Sequence, residues 1–324
     1  MTTHKHAMSP IATAPTPAPA QAAKPAPSDP PSLRFVTVFP SGAGGGNPCP
    51  IVTDAAGLSD ADMKALSARY GHEASFILPP ADPANLARIR YFVPAHEMEM
   101  CGHATLGSAW LLRRAGVWTT PAATVETLAG VVELRFDGAT GRIDVGQPRG
   151  EVQPVAETSV PRIARLLSLG EGDILTLNGR GLLNASTSRF KTLIPLRSVE
   201  TLHAIDTATL NADEVRETCD EIESTGLYPF AVGADGAIHA RQFPRSSGYV
   251  EDAATGIAAS AALYGALQYG IVSGAAGSDA LTVHQGEALG RPSAIQVTLR
   301  RAGAPDEGCW ISGSVEEIEL QPVA

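Results

Sequence analysis

Eighteen consecutive residues, Thr255 to Val272, carry no charge and are rich in Ala and Gly. A helix that is apolar on every side has no face to offer water and is buried. This stretch also holds Ser260, Tyr264 and Gln268, and it is slightly too short and too weakly hydrophobic to span a bilayer. It is therefore expected at the centre of a globular domain. Gly102 to Ala115 reads as a second helix rich in small residues. Small residues let strands approach a helix closely, so each helix can be enclosed by a curled sheet.

The segments around these two helices follow one plan. Arg34–Phe39 is β-branched and aromatic and reads as a strand. Ser41–Pro50 reads as a glycine-rich loop, and Ser59–Tyr70 as a helix with a Ser59 cap. Strands are expected at Ser75–Leu78 and Ala87–Val93, before the small-residue helix, and at Thr124–Thr127, Gly130–Phe136 and Arg142–Val145 after it. The order then starts again. Strands at Ile174–Leu177 and Leu193–Pro195 precede a helix at Asn211–Glu223. Strands at Tyr228–Val232 and Ala237–Phe243 precede the helix from Thr255, and Leu281–His284, Ala294–Arg300 and Trp310–Val315 close the chain. This is an internal structural repeat more than a repeat of residues. The expected fold class is α+β: two similar domains, each a β-barrel-like curled sheet around a central buried helix. The domains are expected at residues 33–148 and 149–324, with the final strand able to return to the first.

Residues 1–32 hold 8 Pro and 8 Ala and no aromatic residue. Such a segment cannot bury enough surface to offset its chain entropy, and it is read as a flexible tail. Proline interrupts every apolar run in it, so it is not a secretory signal. The net charge of −10, with no basic block, makes nucleic acid a poor partner. Cys49, Cys101, Cys219 and Cys309 form no CxxC pair and no zinc spacing. Free thiols in a reducing, cytoplasmic compartment are expected, with no membrane partner.

No nucleotide or metal motif stands out. Gly42–Gly46 places Asn47 where a dinucleotide loop needs its third glycine, and no Lys-Ser/Thr pair follows. The two helix starts are more informative. Gly102-His103 and Thr255-Gly256-Ile257 each place orphan N–H donors at the positive end of a buried helix. Glycine removes the side chain that would block a ligand, so two such heads facing each other would hold a small anion, most simply a carboxylate. Ordinary capping is the alternative. Glu73 enters an apolar strand at Phe76-Ile77-Leu78, where desolvation would raise its pKa toward that of a useful base; a solvated strand-entry glutamate is the other reading. Glu251 and Asp252 precede the second helix and could be partners of its dipole. His103 could contact substrate or be a satisfied buried histidine.

Taken in order, these segments carry a resemblance. Leu33–Val38, Gly46-Asn47-Pro48, His72-Glu73-Ala74-Ser75-Phe76 and Arg88–Pro94 are followed by Glu97 and Cys101-Gly102-His103-Ala104-Thr105. Ala240-Arg241-Gln242-Phe243, Glu251–Gly256, and Gln285-Gly286 with Gly290–Ser293 complete the series. Over about residues 33–318 the chain resembles the PhzF family of phenazine-biosynthesis isomerase-like proteins. The resemblance implies the diaminopimelate epimerase-like fold, a cofactor-free site and a homodimer. It makes Glu73 the catalytic carboxylate, and it puts Gly102, His103, Asp252, Gly256 and Ile257 around the substrate. Better-studied members carry Ser where this chain has Ile257, so a hydroxyl is missing while the backbone donors remain.

The implied reaction is a double-bond shift in a small carboxylate. Glu73 takes a proton from one carbon and returns it to another, and the helix heads stabilise the developing negative charge. A racemase or epimerase on the same fold would use two thiols. Cys101 fits the first position, but Asp252, Ala253 and Ala254 stand where the second is needed. A Cys101/acid epimerase stays open, as does a non-catalytic small-molecule-binding scaffold.

Overall fold

A computed structural model describes residues 29–246 and 249–323. Most of the expected tail lies outside the described residues. Its last part is held in place: Asp29 accepts from Arg69 and from the Tyr70 hydroxyl, and the Ser32 carbonyl accepts from Thr53.

The first half runs β1 (Leu33–Val38), β2 (Asn47–Val52), α1 (Asp60–Tyr70), β3 (Ala74–Leu78), β4 (Ala87–Phe92), β5 (Glu97–Met98), α2 (Gly102–Arg114), β6 (Ala122–Thr127), β7 (Gly130–Phe136) and β8 (Ile143–Gln147). The second half begins with β9 (Glu151–Pro154), α3 (Val160–Leu166), β10 (Leu183–Ser186), β11 (Lys191–Pro195), α4 (Val199–His203) and α5 (Ala212–Glu221). It continues with β12 (Gly226–Val232), β13 (Ile238–Ala240), β14 (Phe243–Pro244), α6 (Gly256–Tyr269), β15 (Ala280–Gln285), β16 (Ser293–Leu299), β17 (Cys309–Ser312) and β18 (Val315–Glu317).

Strand pairing exposes the repeat. Around α2 the order is β18–β1–β2–β3–β4–β6–β7–β8. Around α6 it is β9–β10–β11–β12–β13–β15–β16–β17. The parallel pairs fall at matching places, β2–β3 and β4–β6 in one half, β11–β12 and β13–β15 in the other. β8 pairs with β17 and joins the two curled sheets, while the last strand, β18, crosses back to β1.

The two central helices are buried along nearly their whole length, because glycine brings the sheets against them. A Cβ on Gly107 would stand 2.9 Å from Val36 Cγ2, and one on Gly265 would stand 2.0 Å from Leu193 Cδ1. α1 is a different kind of helix. Ser59 and Asp62 form a capping box at its start, and Gly71, at φ 67°, ends it in the left-handed conformation.

Two local readings are corrected, and four elements were not expected. Residues 47–50, expected in a loop, open β2, because their backbone pairs with Val38 to Phe35 of β1. Ile174–Leu177 makes only isolated bridges, to Leu196 and Arg180. β9, β10, α3 and α4 had no sequence signal strong enough to mark them. Polar positions such as Asn184 in β10 are buried through hydrogen bonds to Ile222 and Thr192, a solution invisible in a hydrophobic pattern.

Candidate active site

The heads of α2 and α6 meet glycine to glycine. A Cβ on either Gly102 or Gly256 would lie 3.8 Å from the Cα of the other, with Ile311 Cδ1 packed beneath both. Helices α1, α4 and α5 are each capped by a side chain, from Ser59, Ser198 and Asn211. Neither α2 nor α6 has a side-chain cap. α3 also lacks a side-chain cap, but only α2 and α6 start with a buried glycine at the junction, which leaves backbone N–H groups there for a ligand.

A cavity of about 480 Å³ opens at this junction. Glu73, Gly102, His103, Asp252, Gly256 and Ile257, the six residues marked in the sequence, all line it. Glu73 stands between the αL end of α1 and the first residue of β3. Its carbonyl accepts from the Cys49 thiol, and the neighbouring His72 carbonyl accepts from the Ser67 hydroxyl at 2.8 Å. The backbone is thereby pinned on both sides of the carboxylate.

Glu73 Oε2 accepts from Cys101 Sγ at 3.2 Å and lies 3.6 Å from His103 Nδ1. Tyr249 donates to Oε1 at 3.4 Å. About a fifth of the Glu73 side chain remains open to the cavity. Burial pushes its pKa above the usual carboxylate value, partly offset by the Cys101 hydrogen bond and the positive charge of Arg189. Asp252 is pushed up to about 6 by burial, with the nearby Glu73 charge adding to it. Burial lowers His103 to about 4, so its imidazole is neutral at pH 7. Two carboxylates that resist ionisation, beside a neutral histidine, suit a proton that must be taken and given back.

Asp252 is positioned by residues far away in the chain. Asn47 Nδ2 donates to Asp252 Oδ1 at 3.1 Å and to the Ala254 carbonyl at 3.0 Å, and Thr255 Oγ1 donates to Asp252 Oδ2. Gln285 Nε2 donates to the Asp252 carbonyl at 2.7 Å. The glycine-rich turn between β1 and β2 exists to deliver Asn47. Ser41 and Gly46 spend their N–H groups on the Pro292 carbonyl, and a Cβ on Gly46, at φ 88°, would sit 2.3 Å from Thr37 Oγ1. Glu251 is a structural residue: its carboxylate is buried in a two-bond ion pair with Arg241, which also donates to the Leu202 and Ile205 carbonyls.

Sequence reasoning missed the opposite wall, which carries Arg189, Lys191, Gln242 and Arg245. Lys191 in β11 looked like any strand-entry lysine, and only its burial distinguishes it. Asn47 carried a usable signal, since an Asn-Pro pair after glycines marks a fixed turn.

Among the described residues, one group of side chains has metal-ligating donors close together: Glu73, Cys101 and His103, within 4.8 Å of one another. Metal capture needs a thiolate. Burial and the Glu73 charge push the Cys101 thiol well above its ordinary pKa, so it stays protonated and donates to Glu73. The cluster suits proton transfer better than metal binding.

Comparison with known proteins shows the family and the fold. The profile of a family described as phenazine biosynthesis-like protein, PhzC-PhzF, matches residues 36–315. An uncharacterized isomerase of Deinococcus radiodurans is 30% identical over 290 residues, covering 87% of this chain and 92% of the relative. A PhzF-family phenazine biosynthesis protein of Bacillus anthracis superimposes with a TM-score of 0.77 at 23% identity, over 90% of this chain and 98% of the other. A predicted epimerase of Pseudomonas aeruginosa gives 0.73 at 26% identity over the same shares.

Proposed function

From the premise that the chain belongs to the phenazine biosynthesis-like PhzC-PhzF family, a family of isomerase- and epimerase-like proteins with the diaminopimelate epimerase-like fold, we propose that it is a cofactor-independent isomerase that shifts a double bond in a small carboxylate. The single observation that carries this reading is the Glu73 carboxylate, raised in pKa and set in a cavity onto which both uncapped helix heads open.

The substrate carboxylate sits at the N–H groups of Gly102, His103, Gly256 and Ile257. Glu73 removes a proton from the carbon next to the conjugated system. Negative charge spreads into the carboxylate, where the helix heads stabilise it as it forms. Glu73 then returns the proton to a different carbon. Neutral His103 and the Asp252 carboxyl orient the substrate or hold a second exchangeable proton. Ile257 and the neighbouring Met98 and Met100 give the cavity an apolar side, which excludes water and favours a hydrocarbon ring or chain over a polar one.

Solvent exchange tests the reading directly. Candidate unsaturated carboxylates incubated in deuterated water should gain deuterium at a new carbon position, because the partly open Glu73 carboxyl exchanges its proton with solvent between turnovers and in reversal. Glu73→Gln should lower turnover by at least about 100-fold, the low end for general acid–base catalysis. If Glu73→Gln kept most activity while Cys101→Ala abolished it, proton transfer would run through the thiol instead.

The Cys101–Glu73 hydrogen bond at 3.2 Å supports a second reading, a one-thiol epimerase. It would exchange deuterium at a single stereocentre and leave every double bond in place.

A further inference from the structure

We propose that the cavity is built for a substrate with two anionic groups, one at the glycine helix heads and a second on the wall that carries Arg189 and Lys191. This rests on the reading above for the place of the first carboxylate and adds the second.

Neither cation of that wall has a carboxylate partner among the described residues. Lys191 is 6% exposed, and its ammonium has one protein contact, the Thr225 carbonyl at 3.4 Å. No carboxylate among the described residues lies within ion-pair distance of it or of Arg189. Burial and the neighbouring Arg189 charge lower Lys191 to about 8, the response of a cation kept from water beside a like charge. Buried polar groups are normally satisfied, so a buried ammonium with one long hydrogen bond on a cavity wall calls for a ligand.

The neighbouring arginines show what satisfied cations look like in this fold. Arg245, on the same wall, is held by Asp220, and Arg241 is locked to Glu251. The two cations do draw the Glu73 pKa downward, and that alone could explain a positive charge here. It does not give the Lys191 ammonium the acceptors that its one long contact leaves wanting. An oxyanion accepts from the Lys191 ammonium and the Arg189 guanidinium together. Recognition of this kind favours a dicarboxylate over a monocarboxylate of the same length.

The test is calorimetric binding to the full chain. Succinate, glutarate, adipate and pimelate are each compared with the monocarboxylate of equal chain length, butyrate, valerate, hexanoate and heptanoate. At least one dicarboxylate should bind about tenfold or more tightly than its counterpart, the gain of one charge-assisted contact. Most of that advantage should vanish in Lys191→Met and in Arg189→Gln, the second being an exposed residue whose change leaves the core alone. If no dicarboxylate gains, or if its advantage survives both substitutions, the second subsite is refuted. Solvent deuterium exchange is scored separately. Exchange on a monocarboxylate without dicarboxylate preference overturns the subsite and leaves the isomerase reading standing. Dicarboxylate preference without exchange on any unsaturated ligand does the reverse.

Discussion

Replacing Asp252 by Asn should make the protein more stable and less active, and the stability gain should depend on pH. The carboxyl is held in a buried site beside Glu73, and its pKa rises from 3.8 to about 6. That rise corresponds to about 3 kcal/mol of penalty on the ionised form. The sign follows from proton counting. Between pH 4 and pH 6 the folded state holds the Asp252 proton more tightly than the unfolded chain does. Stability therefore falls as pH rises through this window, and the full penalty is present above it. Asn carries no charge and avoids the penalty. It keeps one side-chain oxygen for Asn47 or Thr255 and loses the other acceptor, which offsets about 1–1.5 kcal/mol. The net gain at pH 8 is about 1–2 kcal/mol, or roughly 1.5–3 °C in Tm for a chain of this size. Thermal melts of both proteins at pH 8 and pH 4 check it, with turnover measured alongside. If Asp252→Asn lowers Tm at pH 8, or if the difference between the two proteins is the same at both pH values, Asp252 is not held ionised against its environment and its proposed place in proton transfer fails.

Other outcomes follow from the same geometry. Tyr249→Phe removes a donor that lowers the Glu73 pKa, so the acid limb of the kcat/KM profile should move to higher pH; an unmoved limb means that Glu73 is not the titrating base. Gly107→Ala forces a Cβ to within about 3 Å of Val36 and Ile51 in the packed centre of the first half. It should cost about 1–3 kcal/mol in a denaturant titration while the folded protein keeps its turnover. Arg241→Met strands the Glu251 carboxylate in the core and should cost about 3–5 kcal/mol, read from the same titration.

Local chemistry wrote much of this molecule into its sequence. Two small-residue segments, one uncharged throughout and one uncharged up to Leu112, read as buried helices, because an apolar surface on every side leaves no place for water. Their matching entries, Cys101-Gly102-His103 and Thr255-Gly256-Ile257, followed from the same reasoning, as did the suspicion that Glu73 is desolvated by the apolar strand it enters. These features depend on neighbours within a few residues, and the pattern is legible there. What only the tertiary structure decided lies in pairs far apart along the chain. Asn47 and Asp252 are 205 residues apart and share a hydrogen bond. Whether Gly102 faces Gly256, whether Glu251 serves the dipole or Arg241, and whether Lys191 is a surface lysine or a buried cation opposite Glu73 all depend on how the two curled sheets close on each other. Burial and electrostatic coupling are set by three-dimensional proximity, and a strand-entry lysine looks the same in sequence whether water or a protein cavity surrounds it.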